Sequence, residues 1–161
     1  MTGMRIERLD LIAYGAFDGL SLDGLGAPGV HLVYGPNEAG KSTALSALDQ
    51  LLYGIDHNSR YAFQHTTRTR LGARLSAADG MTLEIVRRKK RKNDLLDGDE
   101  NPLGEEALAP FLSGVDRKTF TTEFALNSDE LRKGGELLAS GEGDMAQLLA
   151  AARSGMRLKD E

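Results

Sequence analysis

The sequence HLVYGPNEAGKSTALSALDQLLYGI, at residues 31–55, joins an apolar run to a stretch with helical periodicity through a short loop. The apolar run, GVHLVY at 29–34, is typical of a buried and parallel β-strand. From Ser42 the apolar residues recur at helical spacing, and Gly54 is placed to end the helix. These apolar positions are Ala44, Leu45, Leu48, Leu51 and Leu52. The loop is therefore predicted to lead from a strand into a helix.

The loop reads GPNEAGKS and matches the pattern G-x-x-x-x-G-K-S/T in full. Glycines let successive backbone N–H groups converge on phosphate oxygens, and the start of the helix adds partial positive charge. Lys41 would place its ammonium group on the β- and γ-phosphates, which makes it the candidate catalytic residue, and Ser42 would offer its hydroxyl to Mg²⁺. The alternative is a glycine-rich turn with an exposed lysine. We predict a triphosphate site made by Gly35, Pro36, Asn37, Glu38, Ala39, Gly40, Lys41, Ser42 and Thr43.

The rest of the chain alternates between strand and helix patterns. An Asp-Gly pair at Asp79 and Gly80 lies between alternating residues and predicts a β-hairpin. Asp116 is placed to cap a helix. The predicted strands are 4–14, 17–24, 71–78 and 81–90, the predicted loop is 93–104, and the predicted helices are 105–115, 116–126 and 144–155.

Composition excludes several classes of protein. The chain has 161 residues, enough for one domain with a sizeable core, and 40% of them are hydrophobic. It has no cysteine, so disulfides and cysteine-ligated metals are excluded. No apolar stretch is long enough to span a membrane, and no secretory leader is visible. We therefore expect a soluble cytoplasmic protein without membrane contact.

Charge is strongly segregated along the chain. Residues 60–92 carry ten basic side chains against two acidic ones, whereas residues 93–161 carry fifteen acidic side chains against seven basic ones. The densest basic run is a candidate contact for the phosphate backbone of DNA. The alternative is a solvated strand end, where clustered lysines discourage pairing between sheet edges. The run consists of Arg87, Arg88, Lys89, Lys90, Arg91 and Lys92.

The loop and the helix after it, GPNEAGKSTALSALDQLLYG, resemble SMC-type ATPases of the ABC superclass, and most closely those of the SbcC and YhaN kind. Three other stretches agree: MRIERLDLIAYGAFDGLSL at the N-terminus, RTRLGARL, and TFTTEFALNSDELRKGGELL before GEGDMAQLLAAARSG. The resemblance covers nearly the whole chain. It implies an α/β P-loop NTPase fold, with residues 1–161 forming the N-terminal lobe of an ATPase head that has a mixed β-sheet layer and C-terminal helices.

The resemblance also implies a function. The chain would be the ATP-binding half of a head that acts in DNA double-strand-break repair or chromosome processing, with ATP and Mg²⁺ as cofactors. The C-terminal tail, GMRLKDE, looks cut, and a coiled coil and a C-terminal lobe are expected downstream. Hydrolysis would need that lobe and a second head. DNA and an SbcD-like metallophosphoesterase nuclease are further implied partners, with a location in the cytoplasm at the nucleoid.

Two features depart from the family pattern. The family's glutamine that touches Mg²⁺ and the attacking water would fall near Asn127 and Ser128, so Gln64 is a substitute candidate. The family's arginine after the first strand is replaced by YGAF around Gly15. His57 and His65 are weak evidence for a metal and fit a surface loop better.

Two other functions stay open: a self-sufficient P-loop kinase or GTPase, and a non-enzymatic interaction domain that holds a structural nucleotide.

Overall fold

The computed structural model describes residues 4–61 and 67–125, together with 131–132, 135–136 and 139–140. Its contacts divide the chain into two units, Met1–Thr121 and Thr122–Glu161. In the second unit, Arg132 and Glu136 form an exposed ion pair at helical spacing, 2.9 Å apart. Within the described ranges, no helix has both the length and the apolarity needed to cross a membrane. The predicted helix at 144–155 lies outside the described residues.

The first unit is built on one antiparallel sheet with the strand order β2-β1-β3-β4-β5. The fold is therefore α/β with a sheet whose described strands are all antiparallel. The strands are β1 (Arg5–Tyr14), β2 (Phe17–Leu22), β3 (Arg70–Ser76), β4 (Thr82–Arg88) and β5 (Leu95–Asp97). The helices are α1 (Lys41–Tyr53), a 3₁₀ turn (Glu105–Leu108), α2 (Ala109–Leu112), α3 (Arg117–Thr119) and a π-helical turn (Phe120–Phe124).

The core lies where α1 covers one face of the sheet. Alternate residues of β1, among them Leu9 and Leu11, are buried, because successive side chains of a strand point to opposite faces. From the helix, Ala47, Leu51 and Leu52 pack into the same cluster. This packing fixes the position of α1, and with it the loop that leads into the helix.

Several local predictions are confirmed. Strands β1 and β2 form where they were predicted, and β3 and β4 are joined by the predicted Asp-Gly turn. Gly80 has a φ of 88°, and the backbone N–H of Met81 donates to Asp79 at 3.0 Å. Asp116 caps α3 by accepting from the N–H of Thr119 at 2.7 Å, and these backbone hydrogen bonds lower the pKa of its carboxyl group. The predicted helices 105–115 and 116–126 are present only as short helical segments.

Two predictions are wrong. The predicted loop 93–104 contains strand β5, because Leu95 and Leu96 pair with β4 and are fully buried. The predicted buried strand at 29–34 is neither a strand nor buried: Val30 is 99% exposed and Leu32 is 81% exposed. An extended apolar segment needs a neighbouring strand to satisfy its backbone, and no described strand pairs with this one.

Candidate functional site

The predicted phosphate loop turns immediately before α1. Residues 36–40 form successive turns, and the N–H of Ala39 donates to the carbonyl of Pro36 at 3.3 Å. Glu38 has a φ of 67° and Gly40 a φ of 94°, both in the left-handed region. Left-handed residues between turn residues are typical of backbone loops that bind anions through their amide groups.

The first turn of α1 offers backbone N–H donors to a ligand. Among the described residues, none caps the helix start at Lys41 with a side chain, and the first turn holds no acidic residue. The first N–H groups of a helix have no partner within the helix, so they are available to bind an anion. The helix dipole adds partial positive charge at the same place. These features fit the phosphate groups of a nucleotide.

The side chain of Lys41 folds back onto the phosphate loop. Its Nζ donates to the carbonyl oxygens of Gly35 and Pro36, each at 2.8 Å. An ammonium group has three donors, so one remains for a phosphate oxygen. Ser42 follows on the first turn and is exposed, as the predicted Mg²⁺ ligand must be. The loop residues Gly35 to Thr43 are thus brought together as one exposed cradle.

The turn between β1 and β2 supports this cradle, which the motif did not predict. Phe17 packs against Gly40, where a Cβ atom would collide with the aromatic ring. A Cβ atom added at Gly15 would lie 3.0 Å from the methyl group of Thr43. The predicted departure at YGAF therefore has a structural role here: its small and aromatic residues seat the loop against the sheet.

Tyr14, the last residue of β1, contacts the middle of α1. Its hydroxyl is 3.1 Å from Oγ of Ser46, and its ring stacks on Tyr61 at 5.7 Å between centroids. Burial raises the pKa of Tyr14 to about 12, with the hydrogen bond to Ser46 opposing part of that effect. The hydroxyl therefore stays neutral near pH 7 and can act as a hydrogen-bonding anchor.

Arg87 was predicted to belong to the DNA-contact run, but the structure places it in the core. Its side chain is fully buried, and its guanidinium donates to the carbonyls of Leu51 and Leu52 at 2.6 and 3.3 Å. The same group forms ion pairs with Asp94 at 2.7 Å and Glu105 at 2.6 Å. With its donors used inside the protein, Arg87 has no surface to present, and the prediction that it contacts DNA is wrong.

Glu105 and Asp94 stabilise the positive charge of Arg87. Burial by itself would lower the pKa of Arg87, but hydrogen bonding and attraction to Glu105 and Asp94 outweigh it and raise the pKa. A cation at the C-terminal end of a helix also interacts favourably with the helix dipole. Arg87 therefore joins the end of α1 to the β4–β5 hairpin.

Arg88 and the cations after it lie at the β4–β5 turn. Arg88 is half-buried and its Nε donates to the carbonyl of Asn93 at 3.0 Å. Lys89 is half-buried, whereas Lys90, Arg91 and Lys92 are exposed. The structure keeps this part of the predicted run together on the surface.

The other predicted candidates have different outcomes. His57 is exposed, with Nδ1 3.0 Å from Oδ1 of Asn58, and no His, Cys, Asp or Glu group in the described ranges can hold a metal ion. Gln64, His65 and the pair Asn127 and Ser128 lie outside the described residues.

Two comparisons with known proteins agree with this geometry. The sequence profile of a family described as "AAA domain" matches residues 4–161. "Uncharacterized protein YhaN" of Bacillus subtilis (strain 168) is 38% identical over 61 residues. That match covers 38% of this chain and 6% of the length of YhaN.

Proposed function

Since the chain belongs to the AAA domain family and is similar to YhaN, we propose that it is the ATP-binding N-terminal lobe of an SMC-type ATPase head that acts in DNA repair or chromosome processing. One observation carries the nucleotide assignment. The complete phosphate-loop motif lies at an uncapped helix N-terminus, with Lys41 held inside the loop. The family membership makes this an ATPase-type domain.

The residues of the loop have distinct tasks in this proposal. Backbone N–H groups of the loop and of the first turn of α1 bind phosphate oxygens. Lys41 orients the terminal phosphates and neutralises charge there, while Ser42 holds the Mg²⁺ ion. Magnesium, when bound, withdraws charge from the phosphate oxygens. The β1–β2 turn keeps the loop rigid through the packing of Phe17 on Gly40.

Hydrolysis needs groups beyond the phosphate loop. A water-positioning side chain and carboxylates that support Mg²⁺ are required, and the described residues place no acidic cluster at the loop. We therefore assign these groups to the expected C-terminal lobe and to a second head. A second head, DNA and an SbcD-like nuclease remain proposed partners of the longer protein.

The isolated chain is expected to show negligible ATP turnover, because in this proposal the groups that orient water belong to the expected C-terminal lobe and to a second head. Phosphate release in the presence of ATP and Mg²⁺ would measure it, with Lys41→Ala as the control for contaminating ATPases. Steady turnover at about 1 s⁻¹ or faster, an ordinary enzymatic rate, would favour the self-sufficient kinase or GTPase instead. A nucleotide that persists in the longer protein without phosphate release would favour the structural-nucleotide alternative.

The exposed run at 29–34 is the proposed place where the C-terminal lobe adds to the fold. Val30, Leu32 and Tyr34 are 99%, 81% and 86% exposed, directly before the phosphate loop. An apolar run of this length is unfavourable in water and suits the interior of a sheet. Strands supplied by the downstream lobe would bury it and hold the start of the loop.

The double variant Leu32→Asn, Val33→Asn is expected to lose association with a separately produced C-terminal lobe. Each apolar side chain that is no longer buried removes about 2 kcal/mol of binding. Co-purification and size-exclusion chromatography would measure association, with the exposed Leu131→Asn as the matched control. Unchanged association of the double variant would show that the run is not part of that interface.

A further inference from the structure

A groove lies between the loop that follows α1 and the turn that joins β4 to β5. Ile55 and His57 line one side, and Lys89, Lys90 and Arg91 line the other. The groove has a volume of about 300 Å³ and is open to solvent. Its lining combines one apolar residue with four basic ones, so the surface favours an anionic ligand.

No described carboxylate neutralises the positive charge of this groove. In the described ranges, five arginines of the sheet and of α3 pair with carboxylates, whereas Lys89, Lys90 and Arg91 form no ion pair with a described carboxylate. The paired arginines are Arg8, Arg70, Arg74, Arg87 and Arg117. Lys89, Lys90 and Arg91 therefore form a local cluster of positive charge without a described acidic partner.

The turn holds its cations in a fixed arrangement. The backbone N–H of Arg88 donates to the carbonyl of Asp94 at 2.8 Å, and that of Lys89 donates to Thr69 at 3.2 Å. Behind the turn, Arg87 ties the hairpin to the end of α1. The charged side chains therefore project from a braced hairpin, which lowers the entropy lost when they bind.

We propose that this groove, defined by Ile55, His57, Lys89, Lys90 and Arg91, binds the phosphate backbone of duplex DNA. The inference rests on the proposed function and adds the contact surface to it. A duplex carries one negative charge per about 1.7 Å of its axis, so consecutive cations on an open turn meet several phosphates. The lining residues lie on a loop and a turn, and contacts to phosphate groups carry no base preference.

His57 is the new member of this surface. Its Nδ1 lies 3.0 Å from Oδ1 of Asn58, and the residue lines the groove together with Lys89 and Lys90. His57 lies 30 positions before Arg87, the first residue of the basic run. Only the packing of α1 against the hairpin brings the two together.

The test compares two charge-matched triple variants of the 161-residue chain. The first removes Lys89, Lys90 and Arg91, and the control removes Arg5, Arg68 and Arg74, each replaced by Ala. Fluorescence anisotropy with a labelled duplex would give the affinity from about 50 to 200 mM salt, the range in which phosphate contacts weaken steeply. His57→Ala would be measured beside them.

The groove variant is expected to bind DNA about tenfold more weakly at low salt, with the log–log salt slope flattened by about 0.9 for each phosphate that the variant no longer neutralises. His57→Ala is expected to weaken binding by about twofold, and the control triple should keep its slope. Equal losses of affinity in both triples would overturn the proposal, since only net charge would then matter. Preference for RNA over duplex DNA, or no DNA binding by the unaltered chain, would overturn it too. If ATP still stabilises the chain in those cases, the nucleotide assignment survives.

Discussion

Replacing Arg87 with Met is expected to lower the free energy of unfolding by about 3 kcal/mol, near the lower end of the cost of breaking a buried ion pair. The change removes the donors for the Leu51 and Leu52 carbonyls and the counter-charge for two carboxylates. The cost stays near that lower end because Glu105 is 61% exposed and can be hydrated when its partner is removed. Urea denaturation, read as a shift in midpoint, measures the change.

Two matched variants sharpen this test. Arg88→Met removes a neighbouring and half-buried arginine and is expected to cost less than about 1 kcal/mol, as for ordinary surface substitutions. Arg87→Lys keeps the charge but loses the planar fork of donors, so its stability should fall between the wild type and the Met variant. If Arg87→Met unfolds at the same urea concentration as the wild type, Arg87 does not hold α1 to the hairpin.

Replacing Lys41 with Ala is expected to remove the thermal stabilisation that ATP and Mg²⁺ give to the chain. At a ligand concentration of about one hundred times Kd, binding adds about 2.7 kcal/mol. For a chain of this size that free energy raises Tm by about 5–10 °C. The variant should show little of that shift, because the ammonium group that neutralises the terminal phosphates is absent.

Lys118→Ala, a lysine of α3, serves as the control, and circular dichroism shows whether each variant is folded. The exposed hydrogen bonds of Lys41 to Gly35 and Pro36 contribute little to stability, so the fold should be unchanged without nucleotide. Equal stabilisation of the Lys41 variant and the wild type by ATP would show that the phosphate loop is not the nucleotide site. The salt-dependent DNA binding of the groove variants is a separate measurement and would decide that proposal independently.

Short-range chemistry made much of the candidate site predictable. The motif identifies every residue of the loop from Gly35 to Ser42, since its glycines, lysine and serine are close together in sequence. The same holds for the hairpin turn at Gly80 and the cap at Asp116, where a residue satisfies backbone groups two or three positions away. Such signals depend little on the rest of the fold.

The support of the loop could not be predicted in this way. Phe17, the first residue of β2, packs on Gly40 although the two residues are far apart in the chain, so no local pattern predicts the contact. Strand β5 was not predicted, because Leu95 and Leu96 lie in a turn-rich and acidic stretch. Their pairing with β4 overrides those local preferences.

Adjacent residues specify the phosphate loop, the helix after it, the β3–β4 hairpin and the segregation of charge, so these features can be predicted from the sequence alone. Which members of the basic run face solvent depends instead on packing between distant segments. Arg87 lies in the same basic run as Lys90, yet it is buried because carbonyls of α1, more than thirty residues earlier, accept its hydrogen bonds. The apolar run at 29–34 is the opposite case: its sequence predicts burial, but it is exposed. Burial of such a run depends on a partner strand, which no described strand provides.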